Sequence, residues 1–344
     1  MRYTVITDIN KIDRRDWDLF VQEHPNGTVF QSSETYFLFK NAQNFEPVPV
    51  LVSDDKGIKG VLLAVIIKEY SSKIGFFTSR TVIYGGPLID PSIKDISRVL
   101  DLLLKELIKK VKNKSIFIQF RNFFEWSEEY KDVFTQNGFQ YLERLNFLVD
   151  TSTEQLVKKR MSKSKLRQIR KGLEAGAEII EPENIEQVRE FYNILYYLYK
   201  YRVKKPLPKW SFFESFYQQS KENKLGIIRL IKYDNKIIGG ILSPVFPGKV
   251  IYEWYVCGLD LEYKHVYPSI LATWAAIDYA LKNNIRTFDF MGVGVPDKDY
   301  GVRDFKAKFG GEQVNYGRFG RINNKFLYAI TEIGFNLLAL LRRI

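Results

Sequence analysis

LGIIRLIKYDNKIIGGILSPVF, residues 225–246, reads as two apolar strands reversing at Asp234-Asn235-Lys236, a hairpin signal. Outward from it, KVIYEWYVCGL (249–259) is a further strand and YPSILATWAAIDYALKNN (267–284) an amphipathic helix. IRTFDFMG (285–292) is a buried strand, VRDFKAKFGG (302–311) a short helix with a glycine end, and EQVNYGRFGRI (312–322) a closing strand. The first half of the chain repeats this order. VPVLVSDD and KGIKGVLLAVIIKEY (48–70) form a hairpin across an Asp-Asp-Lys-Gly turn, and TVIYGGPLID (81–90) follows as a strand. SIKDISRVLDLLLKELIKKV (92–111) places Ile96, Val99, Leu100, Leu103, Leu104 and Leu107 on one helical face. KSIFIQF (114–120), SEEYKDVFTQNGF (127–139) and QYLERLNFLVD (140–150) complete the copy as strand, short helix and strand. Two copies of hairpin, strand, helix, strand, helix, strand predict a mixed α/β (α+β) domain built twice. The expected division is 1–150 and 151–344.

Between the copies lie helical stretches. Residues 151–177 carry eight Lys or Arg between Lys158 and Lys171, interleaved with Ser162 and Ser164 rather than with aromatics. That pattern suits an electrostatic role better than stacking on single-stranded bases. A long helix follows from about 184 and breaks near Pro206 and Pro208. The tail, KFLYAITEIGFNLLALLRRI (325–344), reads as an amphipathic helix packed on the body, with a membrane-surface helix as the lesser alternative.

Composition removes several chemistries. Cys257 is the one cysteine and His24 and His265 the two histidines, so a disulfide framework, a Cys-based metal cluster, a zinc site and a Ser-His-Asp triad have little to draw on. No metal is expected. Catalysis must rest on Lys, Arg, Tyr, Asp, Glu and backbone amides. The charged start has no apolar core like that of an export signal, and no apolar run is long enough to cross a bilayer, so a cytoplasmic location is expected. The net charge of +12 points to anionic partners.

The unit TFDFMGVGVPDKDYGVRDFKAKFGG (287–311) concentrates the chemistry. A buried strand ends near Met291, and a loop with Gly292, Gly294, Pro296 and Gly301 leads into the short helix. Phe305 and Phe309 share a face that points to the core, which sets Lys306 at the edge of that face. Spacing alone leaves two readings: a solvated lysine on a capped helix, or an ammonium held against a cleft for an oxyanion or a phosphate. The corresponding helix end in the first copy, FTQNGF, has the aromatics and the glycine but no lysine. Asp289 and Asp297 are nearby carboxylates that the sequence does not set apart. The loop lacks the P-loop and dinucleotide-binding spacings. Tyr192, Tyr196 and Tyr199 recur at helical spacing with Arg202 beyond them, and Tyr252, Trp254 and Tyr255 cluster at a strand end.

These residues resemble the FemABX peptidoglycan-bridge aminoacyltransferases and the wider group of Fem-like acyltransferases. The likeness rests on Phe305-Lys306-x-x-Phe309-Gly310-Gly311, on the preceding YPSILATWAAIDYALKNNIRTFDFMG, and on the basic KSKLRQIRKGLEAGAE. It extends over nearly the whole chain and is clearest from Lys158 onward. The resemblance implies two tandem GNAT-like acyltransferase domains without a coiled-coil arm, since 186–223 is too short for one. It implies transfer of an amino acid from aminoacyl-tRNA to the amino group of a peptidoglycan precursor's stem peptide, the precursor being lipid-linked or nucleotide-linked. It assigns Lys306 and its neighbour Phe305 to catalysis. It assigns Lys40, Arg202 and Tyr255, with Tyr252 the alternative, to substrate binding. At Lys40 the pattern departs, because Tyr36 or Phe37 stands where the family commonly has Trp.

No cofactor is implied beyond the charged tRNA, and a peripheral contact with the inner membrane face is compatible with a lipid-linked acceptor. The alternative is a Fem-like N-acyltransferase using acyl-CoA or an acyl carrier protein in exopolysaccharide or lipid synthesis; the pyrophosphate motif of ordinary GNAT enzymes is missing from both copies. A third reading is an RNA- or anion-binding module without catalysis. No general base is visible in the sequence, and replacing Lys306 with Met is expected to spare the fold while lowering turnover.

Overall fold

The computed structural model describes residues 2–68, 78–222, 225–299 and 301–329. The chain forms two compact units, Met1–Glu143 with Tyr316–Ile344, and Arg144–Asn315.

The first unit runs β1 (Thr4–Ile6), α1 (Arg14–Glu23), α2 (Ser33–Asn41), β2 (Phe45–Asp54), β3 (Gly57–Ile67), β4 (Arg80–Tyr84), β5 (Leu88–Ile89), α3 (Ile96–Val111), β6 (Phe117–Arg121), α4 (Glu128–Gln136) and β7 (Gln140–Leu142). The last strand of the chain, β16 (Arg318–Ile322), joins this unit. The sheet order is β1-β2-β3-β4-β6-β16-β7, with β5 also paired to β3. Of the predicted stripe on α3, Val99, Leu100, Leu103, Leu104 and Leu107 are buried and Ile96 partly so, and Val111 extends it. It covers the apolar faces of β2 and β3, and Phe120, Phe134, Phe139 and Phe319 fill the far end of the core. Burying a large apolar side chain contributes roughly 1.5–3 kcal/mol, so this stripe fixes the helix more firmly than its intrinsic propensity does.

The second unit runs β8 (Asn146–Asp150), α5 (Glu154–Arg160), α6 (Lys163–Glu174), β9 (Glu178–Ile180), α7 (Ile185–Leu198), a π-helical turn (Tyr199–Val203), α8 (Trp210–Lys221), β10 (Gly226–Tyr233), β11 (Lys236–Phe246), β12 (Val250–Tyr252), β13 (Tyr255–Gly258), α9 (Pro268–Lys282), β14 (Thr287–Asp289), α10 (Gly301–Ala307) and β15 (Glu312–Val314). Its order, β15-β8-β14-β12-β11-β10-β9 with β13 also on β11, matches the first sheet strand for strand. The duplication read from the hydrophobic pattern is therefore a duplication of topology.

The ends of the two copies differ from the sequence reading. QYLERLNFLVD divides into β7, which stays in the first sheet, and β8, which pairs with β14 and β15 in the second. EQVNYGRFGRI divides likewise, β15 going to the second sheet and β16 to the first, between β6 and β7. Residue 150 thus lies inside the second unit, and the last strand returns to the first. Both runs break at polar residues, and the two breaks meet where the Arg144 amide donates to Asn315 Oδ1 at 3.0 Å. Of the tail helix, residues 330–344 lie outside the described residues.

In each sheet the fourth strand is interrupted and runs parallel to its next neighbour. β4 pairs with β6, and β12 with β14, in parallel. The crevice beyond the carboxyl ends of such strands is a ligand position in open α/β sheets. In the first unit the interruption, Gly85 to Pro87, is plugged by the fully buried Gln31. Its Nε2 donates to Tyr84 O (2.8 Å) and Leu63 O (3.2 Å), while its Oε1 accepts from the Leu63 amide (2.7 Å). A Cβ at Gly86 would stand 2.5 Å from the Gln31 side chain, which is why glycine is needed there. The second unit has a charged cluster at the matching place.

Candidate active site

The site is built at the interruption between β12 and β13. Glu253 and Trp254 form it: the Glu253 amide donates to Asp289 O (2.9 Å) and the Trp254 amide to Leu242 O (3.3 Å), so the strand changes partner within two residues. This step turns the Glu253 carboxylate into the interior, where it is almost fully buried. Its Oε1 lies 2.8 Å from Lys306 Nζ, and its Oε2 accepts from Thr273 Oγ1 on α9 at 3.2 Å.

Lys306 projects from α10 into the same interior, with its side chain 12% exposed. Besides Glu253, its ammonium donates to Phe290 O at 2.8 Å and Gly292 O at 3.4 Å, and it lies 5.1 Å from the centre of the Phe290 ring. A lysine has three donors, so all three are placed here, the one on Gly292 O weakly. An incoming oxygen would exchange with that third bond at little cost. The sequence left a solvated lysine as one reading; the structure removes it, because Lys306 is half of a buried ion pair.

The carbonyls that receive Lys306 belong to a strained turn. Met291 has φ 58° and Gly292 φ 124°, and Asp289 holds the turn by accepting from the Met291 amide (2.6 Å) and from Asn146 Nδ2 (2.7 Å). Asn146 Oδ1 in turn accepts from the Gly292 amide at 2.7 Å. Burial pushes the Asp289 carboxyl up to about 6, against the opposing pull of those hydrogen bonds and of Lys306; the Glu253 charge adds to the rise. Arg303 on α10 closes the loop by donating to the carbonyls of Val293, Val295 and Pro296.

An acid-range prediction follows from Asp289. Its folded value lies above the ordinary 3.8, so the native state holds the proton more tightly and the associated stability is present below about pH 4. It is lost as the pH rises through about 6. Asp289→Asn, which keeps an oxygen for Asn146 and the Met291 amide, should flatten this segment. Above pH 6 it should be more stable than the parent by on the order of 2 kcal/mol. Urea midpoints at pH 4, 5, 6 and 7 measure this; parallel curves for the two proteins would refute it.

The helix carrying Lys306 is fixed from behind by α5 and α6. The Ser162 amide, at the start of α6, donates to Lys308 O at 2.9 Å. Gly310, at φ 85°, packs against the backbone of Arg160 and Met161. Lys165 on α6 is 4% exposed, and its Nζ stands 3.7 Å from the Phe305 ring centre and 5.1 Å from that of Phe309. Burial lowers its pKa to about 8, with Lys308 acting in the same direction and Asp260 against it. Phe305 is therefore the ring on which a buried cation rests, and Phe309 is fully buried.

The other sequence-selected residues fall elsewhere. Arg202 lies in the π-helical turn, part exposed, 3.5 Å from Glu262. Tyr255 opens β13 among Tyr199, Phe212, Phe213 and Trp254 and keeps some surface, whereas Tyr252 is buried at 2% exposure. Lys40 belongs to the first unit, exposed at the end of α2 and 6.0 Å from the Phe37 ring. Neither histidine enters the cluster: His24 bonds Ile89 O in the first unit, and His265 meets Tyr233 Oη at 3.3 Å. Burial pushes the Cys257 thiol up, which removes it as a nucleophile. No group of acidic, His or Cys side chains suited to a metal occurs among the described residues, and no helix among them is long and apolar enough to cross a membrane.

Sequence reasoning missed Glu253, Thr273 and Lys165. Glu253 had a usable signal: a carboxylate in the middle of VIYEWYVCG, a run otherwise fit for burial, needs a cationic partner.

Comparison with known proteins agrees with this architecture. A model of the FemAB family matches residues 217–334, the span that contains Glu253, Asp289 and Lys306. The fold resembles the crystal structure of FemX, with a TM-score of 0.70 at 17% identity over 96% of this chain and 99% of that one. It also resembles L-PGS from Bacillus licheniformis (TM-score 0.57, 12% identity, 93% and 96% covered). A tandem GNAT protein from the clavulanic acid biosynthesis pathway is similar too (TM-score 0.55, 9% identity, 94% and 99% covered). None of the curated proteins compared with the chain matches it. A FemAB family model thus matches the span that holds the site, and the fold along the whole chain resembles that of FemX and of tandem GNAT proteins.

Proposed function

We propose that the protein is an aminoacyltransferase that moves an amino acid from aminoacyl-tRNA to the amino group of a peptidoglycan precursor's stem peptide. The observation that carries the reading is the buried Lys306–Glu253 pair beyond the carboxyl ends of the parallel strands β12 and β14. An aminoacyl ester is already activated. The enzyme has to hold an amine against its carbonyl and stabilise the oxyanion that forms. The Lys306 ammonium, its direction fixed by Glu253 and the Phe290 carbonyl, supplies that charge without reorganising. The amine forms the C–N bond, the ester C–O bond breaks, and the amine's proton passes to the departing ribose oxygen. The resemblance assigns Arg202 and Tyr255, with Tyr252 the alternative, to substrate binding, Arg202 as a clamp for phosphate, and separately assigns Lys40 to substrate binding.

The donor choice has support from α9. A helix that binds a pyrophosphate needs free N–H groups in its first turn. Here Pro268 has none, the Ser269 amide donates to Asp260 Oδ1 at 3.0 Å, and the amides of Ile270 and Leu271 both donate to Tyr267 O. A carboxylate thus sits where coenzyme A would need a phosphate. This favours charged tRNA over acyl-CoA. Incubation of the protein and a pentapeptide precursor with either charged tRNA or acetyl-CoA tests the choice, the product being weighed by mass spectrometry. Transfer from the thioester alone would sink the reading.

A further inference from the structure

The end of α7 and the π-helical turn carry an exposed surface around Arg202, and of its residues Arg202 alone has been given a part in the transfer. Tyr196, Tyr197, Tyr201 and Val203 are 51%, 45%, 56% and 45% exposed, and Leu261 is 61% exposed. They form one patch. Tyr197 and Tyr201 have ring centres 5.2 Å apart, and Lys200 Nζ lies 5.0 Å from Tyr201 and 5.9 Å from Tyr196. The Arg202–Glu262 contact brings the loop of Leu261 alongside. Lys204 and Lys205, both exposed, extend the positive charge. The π-helical turn ends at Lys204, whose φ of 54° stops the helix there.

We propose that this patch docks the protein on the surface of an anionic lipid bilayer. Tyrosines sit at bilayer interfaces because the ring is apolar and the hydroxyl wet. Each lysine or arginine near such a surface adds attraction within a Debye length. The two aliphatic side chains decide against nucleic acid: Val203 and Leu261 offer nothing to phosphates and cannot stack on bases, whereas a headgroup layer accepts them. Of the two acidic side chains beside Leu261, Glu262 is paired with Arg202 and Asp260 is turned to the Ser269 amide. The proposal deepens the transferase reading in one respect, since a bilayer-docked enzyme would meet an acceptor carried on a lipid. Vesicle binding itself needs no catalysis.

The test is co-sedimentation of the full chain with phosphatidylcholine vesicles and with vesicles containing roughly one third phosphatidylglycerol. The parent protein should bind the anionic vesicles at least about ten-fold more tightly, and raised salt should weaken that binding. Tyr201→Ser/Val203→Ser/Leu261→Ser and, separately, Lys204→Glu/Lys205→Glu should each lose about ten-fold on those vesicles with unchanged melting curves. The serine triple should leave binding of tRNA unaltered. Equal binding to both vesicle types, or full binding by the variants, would overturn the proposal. So would a loss of tRNA binding in the serine triple as large as the loss on vesicles. Transfer from charged tRNA is measured separately, on a nucleotide-linked acceptor and on a lipid-linked one in neutral detergent, and failure on both would sink the enzymatic reading while leaving the vesicle result as it stands.

Discussion

Lys306→Met is expected to lower turnover about a hundred- to a thousand-fold, the range seen when one preorganised oxyanion donor is lost. It should also destabilise the second unit by about 3–5 kcal/mol, because it leaves Glu253 charged and unpaired in the interior. From sequence alone the same substitution is expected to spare the fold; the ion pair changes that expectation. The two effects can be separated. In Lys306→Met/Glu253→Gln the buried charge is gone, and the new amide side chain still offers an oxygen to Thr273 Oγ1. The double variant should recover most of the stability, since replacing a buried pair by neutral groups is often neutral or stabilising. It should recover none of the turnover. Denaturation midpoints and single-turnover rates for the four proteins of the cycle give both numbers. Turnover restored together with stability would mean that the pair is structural.

Gly310→Ala should act on the same centre from outside it, through the backbone. Gly310 has φ 85°, a conformation that side chains with a Cβ rarely adopt. A Cβ there would meet the Arg160 carbonyl carbon at 2.5 Å, its oxygen at 2.6 Å and the Met161 nitrogen at 2.7 Å. All three are main-chain atoms with no rotamer to escape into. The strain should cost roughly 2–3 kcal/mol and be relieved by moving α10 away from α5 and α6. That movement would break the Ser162–Lys308 bond and withdraw Lys306 from Glu253. Stability and turnover should therefore fall together. Gly301→Ala, where a Cβ meets nothing within 4 Å, is the control and should change neither. A Gly310→Ala protein as stable as the parent would show that the α10 seating is softer than its contacts imply.

The duplicated α/β order could be read from the sequence because each element carries its own apolar period, as the α3 stripe and the β10–β11 hairpin do. The exchange of closing strands could not. A run such as QYLERLNFLVD announces a strand, but which sheet takes it depends on long-range pairing that no local pattern encodes. The site was legible in part. Lys306 stood out because the first copy's helix end lacks it. Lys165 was hidden as one of eight neighbouring basic residues, and only packing distinguishes it. Asp289 looked like any strand carboxylate until burial and the Met291 turn set it apart. Glu253 was legible in principle, as a charge in a strand with no polar face, yet its partner Lys306 is far along the chain and meets it only in the fold.

The central claim is that the Lys306–Glu253 pair is the centre of acyl transfer from a charged tRNA. The most direct measurement is the mass of a pentapeptide precursor after incubation with the protein and charged tRNA, set beside the folded Lys306→Met/Glu253→Gln variant. The precursor should gain one aminoacyl residue on the stem-peptide amine with the parent protein and none with the variant. A precursor left unmodified by the parent protein, or modified equally by both, would contradict it.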